Sequence, residues 1–123
     1  MTVRVDDLLG VPYKDHGRSK EEGYDCYGLA IEVARRFGYR LDDVEYNDDH
    51  DIRLADEHAP TLNITRLDAP RAGALVEMAA GNALHIGMCL NEREFIHMTR
   101  SGCRINRIGT IKTRGYYGID TRI

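Results

Sequence analysis

Apolar residues recur at helical spacing directly after Cys26. They follow at intervals of three and four, at Leu29, Ala30, Val33, Ala34 and Phe37. Charged residues take the opposite side of this pattern, at Glu32, Arg35 and Arg36. Asp25 is a suitable N-cap, and Gly38 fits the position after the last helical turn. The pattern therefore predicts an amphipathic helix that begins at Cys26 and ends before Gly38.

The rest of the N-terminal half has weaker patterns. Residues 2–9 favour a short helix, and residues 14–23 favour a polar loop. Residues 42–51 form an acidic run that is typical of a solvated loop, although such a run could also border a cleft. Residues 52–58 are compatible with one further helix. This half of the chain therefore predicts only one element firmly, the helix after Cys26.

Beyond Pro70 the apolar residues form short runs of strand length, with turn residues between them. The runs are Ala74–Met78, Leu84–Leu90, Glu94–Met98, Arg104–Ile108 and Thr113–Ile119. Because no crossover helix fits between runs this close, their strands must pair in antiparallel fashion. One helix on such a sheet is an α+β arrangement. We predict a single domain over residues 1–123, with about five strands.

Composition and charge argue against several classes of function. The chain has 123 residues and a formal net charge of −3, so a nucleic-acid partner has no electrostatic support. No apolar run approaches the roughly 18 residues of a transmembrane helix, and the N-terminus lacks the apolar core of a signal peptide. We therefore expect no membrane span and a chain that is cytoplasmic as synthesised. Three cysteines without a CxxC or HxxxH pair argue against disulfides and zinc, and no cofactor is expected.

Cys26 combines a reactive side chain with a special backbone position. It lies in the run Gly23-Tyr-Asp-Cys-Tyr-Gly-Leu29, at the predicted start of the helix. Unpaired backbone N–H groups and the positive end of the helix dipole meet there, which favours the thiolate over the thiol. The thiolate is the nucleophilic form of cysteine. Cys26 is therefore a candidate nucleophile.

A cysteine nucleophile needs a base that takes its proton and later protonates the leaving group, and histidine has a suitable pKa. His16, His50 and His58 lie in polar segments, where exposure to solvent is the usual outcome. His85 and His97 differ, because both lie within predicted strands. These two are the candidate partners of the thiol.

The strand pattern brings the two histidines together. Alternation places His85, Gly87 and Cys89 on one face of their strand, and Gly87 would let the start of the helix approach His85. His97 falls on the adjacent antiparallel strand, within reach of the His85 ring. There it would orient that ring, which is the third role in a catalytic triad. The alternative is that both are buried histidines satisfied by backbone carbonyls.

Four segments, in order along the chain, resemble the motifs of the NlpC-type cell-wall cysteine peptidases. They are Asp25-Cys-Tyr-Gly-Leu29, Arg71-Ala-Gly-Ala-Leu-Val76, His85-Ile-Gly-Met-Cys-Leu90 and Phe95-Ile-His-Met98. They are similar to the family's Asp-Cys-Ser-Gly-Leu, Pro-Gly-Asp-Leu, His-Val-Gly-Ile-Tyr and Phe-Ile-His-Ala. Ala74 stands where the family usually has aspartate. The resemblance spans about residues 9–119, nearly the whole chain.

The resemblance implies a papain-like fold and a peptidase that acts on the stem peptides of bacterial peptidoglycan. Cys26 corresponds to the nucleophile, which forms a thioester intermediate. His85 corresponds to the catalytic base and His97 to the orienting residue. The implied partner is a peptidoglycan stem peptide, and no metal or cofactor takes part.

Three further residues take expected roles from the resemblance. Tyr13 is similar to the tyrosine of the family's Pro-Tyr pair, whose hydroxyl lines the active site. Asp25 and Tyr27 flank the nucleophile, and we assign them with Tyr13 to substrate binding or the oxyanion site. Tyr27 replaces a small residue, as is familiar in the phage and prophage tail branch of the family. Tail proteins are therefore a second expected class of partner, with virion association as the expected location.

Alternatives stay open at this point. The domain could be a tail-assembly or peptidoglycan-binding module without turnover, or an amidase or acyltransferase on another substrate. The altered loop at residues 14–17 and Tyr27 both favour the module. Among the remaining cysteines, we expect Cys89 to be buried in mid-strand and Cys103 to be exposed at a strand start.

Overall fold

The computed structural model describes residues 3–54 and 61–123. Its 3-10 turns are Asp6–Leu8 and Asp49–Asp51. Its helix and strands are β1 (Arg18–Ser19), β2 (Gly23–Tyr24), α1 (Cys26–Arg36), β3 (Ile64–Leu67), β4 (Leu75–Ala80), β5 (Ala83–Cys89), β6 (Glu94–Thr99), β7 (Gly102–Arg107) and β8 (Lys112–Ile119). Over these ranges, no helix is both long enough and apolar enough to span a bilayer.

Helix α1 begins at the predicted residue because Asp25 caps it. The side chain of Asp25 accepts a hydrogen bond from the Gly28 N–H at 2.7 Å, which satisfies one of the free donors of the first turn. At the other end, Gly38 has a φ of +88°, a conformation in which glycine is favoured. Glu32 on the outer face accepts hydrogen bonds from Arg35 and Arg36. The predicted helix is confirmed.

The larger sheet has six strands in the order β3-β8-β4-β5-β6-β7, and every pair is antiparallel. The five predicted strands correspond to β4 through β8. Strand β3 at one edge was not predicted, because only Ile64 in it is fully buried and no alternation is visible. Helix α1 packs on this sheet, so the α+β class is confirmed.

The sheet carries a hydrophobic cluster on each face. Ile86, Met88 and Ile96 pack with the apolar side of α1, whereas Cys89 and Phe95 belong to a second cluster. The alternation predicted for β5 is therefore confirmed. However, the prediction that Gly87 lets the helix approach is wrong. A Cβ at Gly87 would lie 3.1 Å from the Phe95 ring, so the missing side chain makes room for β6 and not for the helix.

Several predictions for the irregular segments need correction. The predicted helix over residues 2–9 is only the 3-10 turn Asp6–Leu8. The predicted loop at residues 14–23 contains β1 and part of β2, which form a separate two-stranded sheet. Most of the possible helix at 52–58 lies outside the described residues.

Two residues that were expected at the surface are buried. Asp49 in the acidic run is 1% exposed, so that run is not simply a solvated loop. Cys103 is 3% exposed, because it packs in the cluster under α1. Cys89 is buried as predicted.

At Gly28, α1 lies very close to the preceding loop. A Cβ at this position would lie 2.1 Å from the backbone oxygen of Gly17, far inside van der Waals contact. The same oxygen accepts a hydrogen bond from the Arg18 guanidinium at 2.9 Å. Only glycine lets these groups meet beside the helix start.

We expect Gly28→Ala to lower the free energy of unfolding by about 1–3 kcal/mol, through the clash with Gly17. The sign is informative, because alanine is otherwise better than glycine in a helix by about 1 kcal/mol. The measurement is chemical denaturation of both proteins. Gly115→Ala is the matched control, since the atoms nearest to its Cβ would belong to the flexible Arg66 side chain. Equal stabilities for wild type and Gly28→Ala would contradict the close approach.

Candidate functional site

Cys26 is the first residue of α1 and is almost completely buried, at 2% exposure. Its backbone N–H donates to Oδ2 of Asp49 at 3.0 Å. Its thiol points at the backbone oxygen of Asp49, with 3.8 Å between sulfur and oxygen. The backbone of Ile86 also lies against the sulfur, where it favours the thiolate. The thiol is therefore enclosed by β5 and by the segment that carries Asp49.

These surroundings reverse the expected charge state of the thiol. Burial raises the pKa of Cys26 well above its ordinary value, and the negative charge and hydrogen bond of Asp49 raise it further. The helix start was expected to favour the thiolate. That expectation is wrong for this arrangement, because a carboxylate already sits at the positive end of the helix. The resting thiol is protonated.

His85 and His97 meet on neighbouring strands, as predicted. Nε2 of His85 lies 2.7 Å from Nδ1 of His97, and Nε2 of His97 lies 2.7 Å from Oδ1 of Asn106. An amide oxygen can only accept a hydrogen bond, so Nε2 of His97 carries a proton. In neutral His97, Nδ1 is then a bare acceptor, and Nε2 of His85 must donate to it. The relay leaves Nδ1 of His85 without a proton, ready to accept one.

Burial keeps both rings neutral. It is the main cause that lowers the pKa of His85 to about 4, and the nearby His97 and His50 lower it further. Burial also lowers the pKa of His97, against the opposing effect of the hydrogen bond to Asn106. At neutral pH the site therefore holds a thiol and an uncharged imidazole pair.

Asp49 lies at the centre of the site. Besides the Cys26 N–H, its carboxylate accepts a hydrogen bond from the Tyr13 hydroxyl, with 3.2 Å between that oxygen and Oδ1. Oδ1 also lies 3.1 Å from Nδ1 of His50. Burial and the Asp49 charge raise the pKa of Tyr13, so this hydroxyl remains a donor. The Tyr13 hydroxyl, which was assigned to substrate binding or the oxyanion site, and the Cys26 N–H thus converge on a carboxylate of the protein itself.

His50 connects this carboxylate to the histidine pair. Its ring stacks on the His85 ring with 6.1 Å between centroids and 19° between planes. His50 is partly exposed, so the prediction of a solvated surface residue is confirmed only in part. His16 is exposed as expected, and His58 lies outside the described residues. Among the described residues, no hydrogen bond joins the Cys26 thiol directly to His85. The Asp49–His50 pair and the Ile86 backbone link the two.

The other two assigned residues lie beneath the site surface. Asp25 is fully buried and accepts from the His16 N–H at 3.2 Å and the Arg18 guanidinium at 3.0 Å, in addition to capping α1. Tyr27 is also fully buried, and its hydroxyl donates to the Asp42 backbone oxygen at 2.6 Å. Neither side chain presents an atom that a substrate could contact. Both have structural roles in place of the predicted substrate contact.

A cleft of about 220 Å³ opens beside the histidine pair. Its lining includes Tyr13, Asp49, His50, His85, His97 and Arg100. Cys26 is not part of this lining, whereas Asp49, which contacts Cys26, is part of it. A larger depression of about 670 Å³ lies at the β5–β6 turn, and its lining has no thiol or imidazole.

Sequence reasoning missed Asn106 and Asp49. Asn106 pairs with Phe95 in the register of β6 and β7, which places it on the same face as His97. Its polar side chain within a strand was the available signal. Asp49 gave no signal, because nothing local distinguishes it from the other aspartates of the acidic run.

Asp48, Asp49 and His50 bring one possible metal-ligand atom each within 4.8 Å of one another. Nδ1 of His50 lies 3.1 Å from a carboxylate oxygen of both aspartates. Contacts within the trio therefore explain its geometry, and we assign no ion to it.

Comparison with known proteins supports the assignment made from the motifs. The model of the NlpC/P60 family matches residues 10–118, which include every residue of the site described above. No curated protein matches the chain. Members of this family are generally cysteine peptidases or amidases, and the family suggests activity on the cell wall. Because the match covers most of its length, the chain belongs to the NlpC/P60 family.

Proposed function

We propose that this protein hydrolyses amide bonds in the stem peptides of peptidoglycan, with Cys26 as nucleophile, His85 as base and His97 as the residue that orients the base. The observation that carries the proposal is the line of hydrogen bonds from Asn106 through His97 to His85. It fixes the proton positions so that Nδ1 of His85 is the free base. Family membership supplies the cell-wall context.

The mechanism follows from these proton positions. Nδ1 of His85 takes the thiol proton, and the Cys26 sulfur attacks the carbonyl carbon of the scissile amide. His85 then gives that proton to the leaving nitrogen, and the C–N bond breaks to leave a thioester. Water, activated by the same nitrogen, attacks the thioester carbon and releases the free acid and the thiol. His97 donates nothing in these steps, but it holds the charged form of His85 in orientation.

The oxyanion that forms in each step needs donors already in place. The Cys26 N–H at the start of α1 and the Tyr13 hydroxyl are suited to this role, because both are aimed at one anionic group in the resting site. Tyr13 is held by a backbone bridge to Tyr24, one residue before the cap of α1. The two donors therefore have a common support.

A non-catalytic module is the second candidate. The 2% exposure of Cys26 favours it, since a thiol this enclosed does not meet a substrate without a rearrangement. The same catalytic residues could also hydrolyse an amide outside peptidoglycan, and the hydrolase could be part of a phage tail. Both are variants of the first proposal. The tail association rests on Tyr27, which is similar to the aromatic residue at this position in the phage and prophage branch.

Replacing Cys26 by alanine separates the two candidates. We expect Cys26→Ala to reduce hydrolysis of purified muropeptides by at least about 10⁴-fold, because the nucleophile is lost. Binding of the same muropeptides should persist. Product release measured by liquid chromatography and mass spectrometry is the readout for hydrolysis, and calorimetry is the readout for binding.

The matched control is Cys103→Ala, which removes a buried thiol that does not line the cleft. It should keep wild-type turnover. Absence of turnover in the wild type, with muropeptide binding intact, would favour the module. Turnover only on non-peptide amides would contradict the stem-peptide substrate.

Asn106 provides a test of the relay. Asn106→Leu removes the acceptor for Nε2 of His97, so we expect kcat/KM to fall about tenfold or more, the worth of one buried hydrogen bond. Asn106→Asp keeps an acceptor and should recover most of the loss. Its charge should raise the pKa of His97 and move the acid limb of the pH–rate profile to higher pH. Identical profiles for wild type and Asn106→Asp would contradict the role.

The protonated thiol predicts a characteristic pH dependence of alkylation. Below its raised pKa the thiol exists mainly as S–H, and the reactive thiolate increases about tenfold for each unit of pH. We expect the rate of Cys26 alkylation in the wild type to rise in this manner between about pH 7 and 9. A thiolate–imidazolium pair would instead give a rate that is flat over this range.

A further inference from the structure

The segment over residues 42–51 crosses the candidate active site and is called the strap here. Its first half is anchored beside the start of α1. Arg18 bonds the Asp43 carboxylate at 3.0 Å and the Tyr46 hydroxyl at 2.7 Å, and that hydroxyl also bonds Asp25. The Tyr46 ring stacks on His16 with 4.6 Å between centroids. This half is held by charged and aromatic contacts.

The residues that follow the strap are anchored in the hydrophobic core. Ile52 and Leu54 are fully buried in the cluster under α1, and the Leu54 N–H donates to the Glu77 carboxylate at 2.7 Å. Only residues 47–51 lie between the Tyr46 anchor and the Ile52 anchor. This short span contains both residues that cover the site, Asp49 and His50.

We propose that residues 47–51 of the strap are an autoinhibitory lid, in which the Asp49 carboxylate takes the place of the substrate oxyanion and must leave before a substrate can react. The inference concerns the regulation of the site and rests on the proposed function for its role in turnover. The lid itself is defined by contacts with the thiol and the two oxyanion donors.

Three contacts make the closed state incompatible with catalysis. The Asp49 carboxylate occupies the Cys26 N–H and the Tyr13 hydroxyl, so neither can bind an oxyanion. A carboxylate in that position also repels the negative charge that forms during attack. The hydrogen-bond acceptor of the Cys26 thiol is the Asp49 backbone oxygen, 3.8 Å from the sulfur, and not His85. Burial and Asp49 together hold the thiol in its protonated form.

The composition of the released span makes opening feasible. Residues 48, 49 and 51 are aspartates, and two of them are already exposed. Moving Asp49 into water restores the hydration of a carboxylate whose present partners include two neutral donors. The anchors at Tyr46 and Ile52 remain in place, so the lid can close again without refolding.

Alkylation of Cys26 by iodoacetamide tests the lid without any assumption about the substrate. In this reaction an S–C bond forms, the C–I bond breaks, and iodide and the thiol proton are released. The comparison uses Asp49→Ala, which removes the group in the oxyanion position, and Asp49→Asn, which keeps its shape but not its charge. Asp51→Ala is the matched control, because it removes an exposed carboxylate from the same short span. Peptide mass spectrometry separates labelling at Cys26 from labelling at the other cysteines.

We expect Asp49→Ala to raise the alkylation rate at Cys26 about tenfold or more over Asp51→Ala, the change that one unit of thiol pKa produces. Asp49→Asn should give a smaller rise in the alkylation rate. If Asp49→Ala does not fold, the comparison of Asp49→Asn with Asp51→Ala is the test of the lid. Rates for both variants equal to that of Asp51→Ala would overturn the lid.

Muropeptide hydrolysis by the same variants distinguishes the lid from the proposed function. Faster alkylation with no hydrolysis in any variant supports the lid and refutes the peptidase. Hydrolysis by the wild type together with unchanged alkylation supports the peptidase and refutes the lid. Loss of hydrolysis in a folded Asp49→Ala also refutes the lid, since Asp49 would then be needed for turnover.

Discussion

The buried carboxylate of Asp25 is the interaction on which the site depends. It caps α1 through the Gly28 N–H, ties down the loop through the His16 N–H, and pairs with Arg18. The Tyr46 hydroxyl of the strap binds the same group. A buried carboxylate is costly unless it is paired and fully hydrogen-bonded, so these partners are held in one arrangement. The direction of the Cys26 N–H and the course of the strap follow from that arrangement.

The two buried carboxylates of the site differ in their partners. The Arg18 guanidinium lies 3.0 Å from Asp25, whereas Asp49 is held by a backbone N–H, a phenol and an imidazole. The Arg18 guanidinium neutralises the charge of Asp25 whether or not a ligand is bound. Breaking such a buried ion pair costs several kcal/mol. The backbone N–H and the phenol, in contrast, can donate to another acceptor. Asp25 is therefore suited to a permanent structural role, and Asp49 to a reversible one.

How well each part of the site could be predicted depends on whether its contacts are local or distant in sequence. Helix α1, five strands and the meeting of His85 with His97 depend on periodicity and on antiparallel neighbours, which a sequence displays directly. The position of Asp49 depends on contacts across more than twenty residues, with Tyr13 on one side and Cys26 on the other. The charge state of Cys26 was mispredicted for the same reason. The start of a helix favours a thiolate only when no other anion already occupies the positive end of the helix.

The contacts that close the site also keep it assembled. A buried N–H without a partner would cost about 1–3 kcal/mol, so an empty oxyanion site would favour rearrangement. The Asp49 carboxylate satisfies the Cys26 N–H and the Tyr13 hydroxyl until another acceptor arrives. A ligand recovers the hydrogen bonds given up by Asp49 only if its own carbonyl oxygen reaches both donors. Displacement of the lid would therefore select for a correctly placed amide before the chemical step begins.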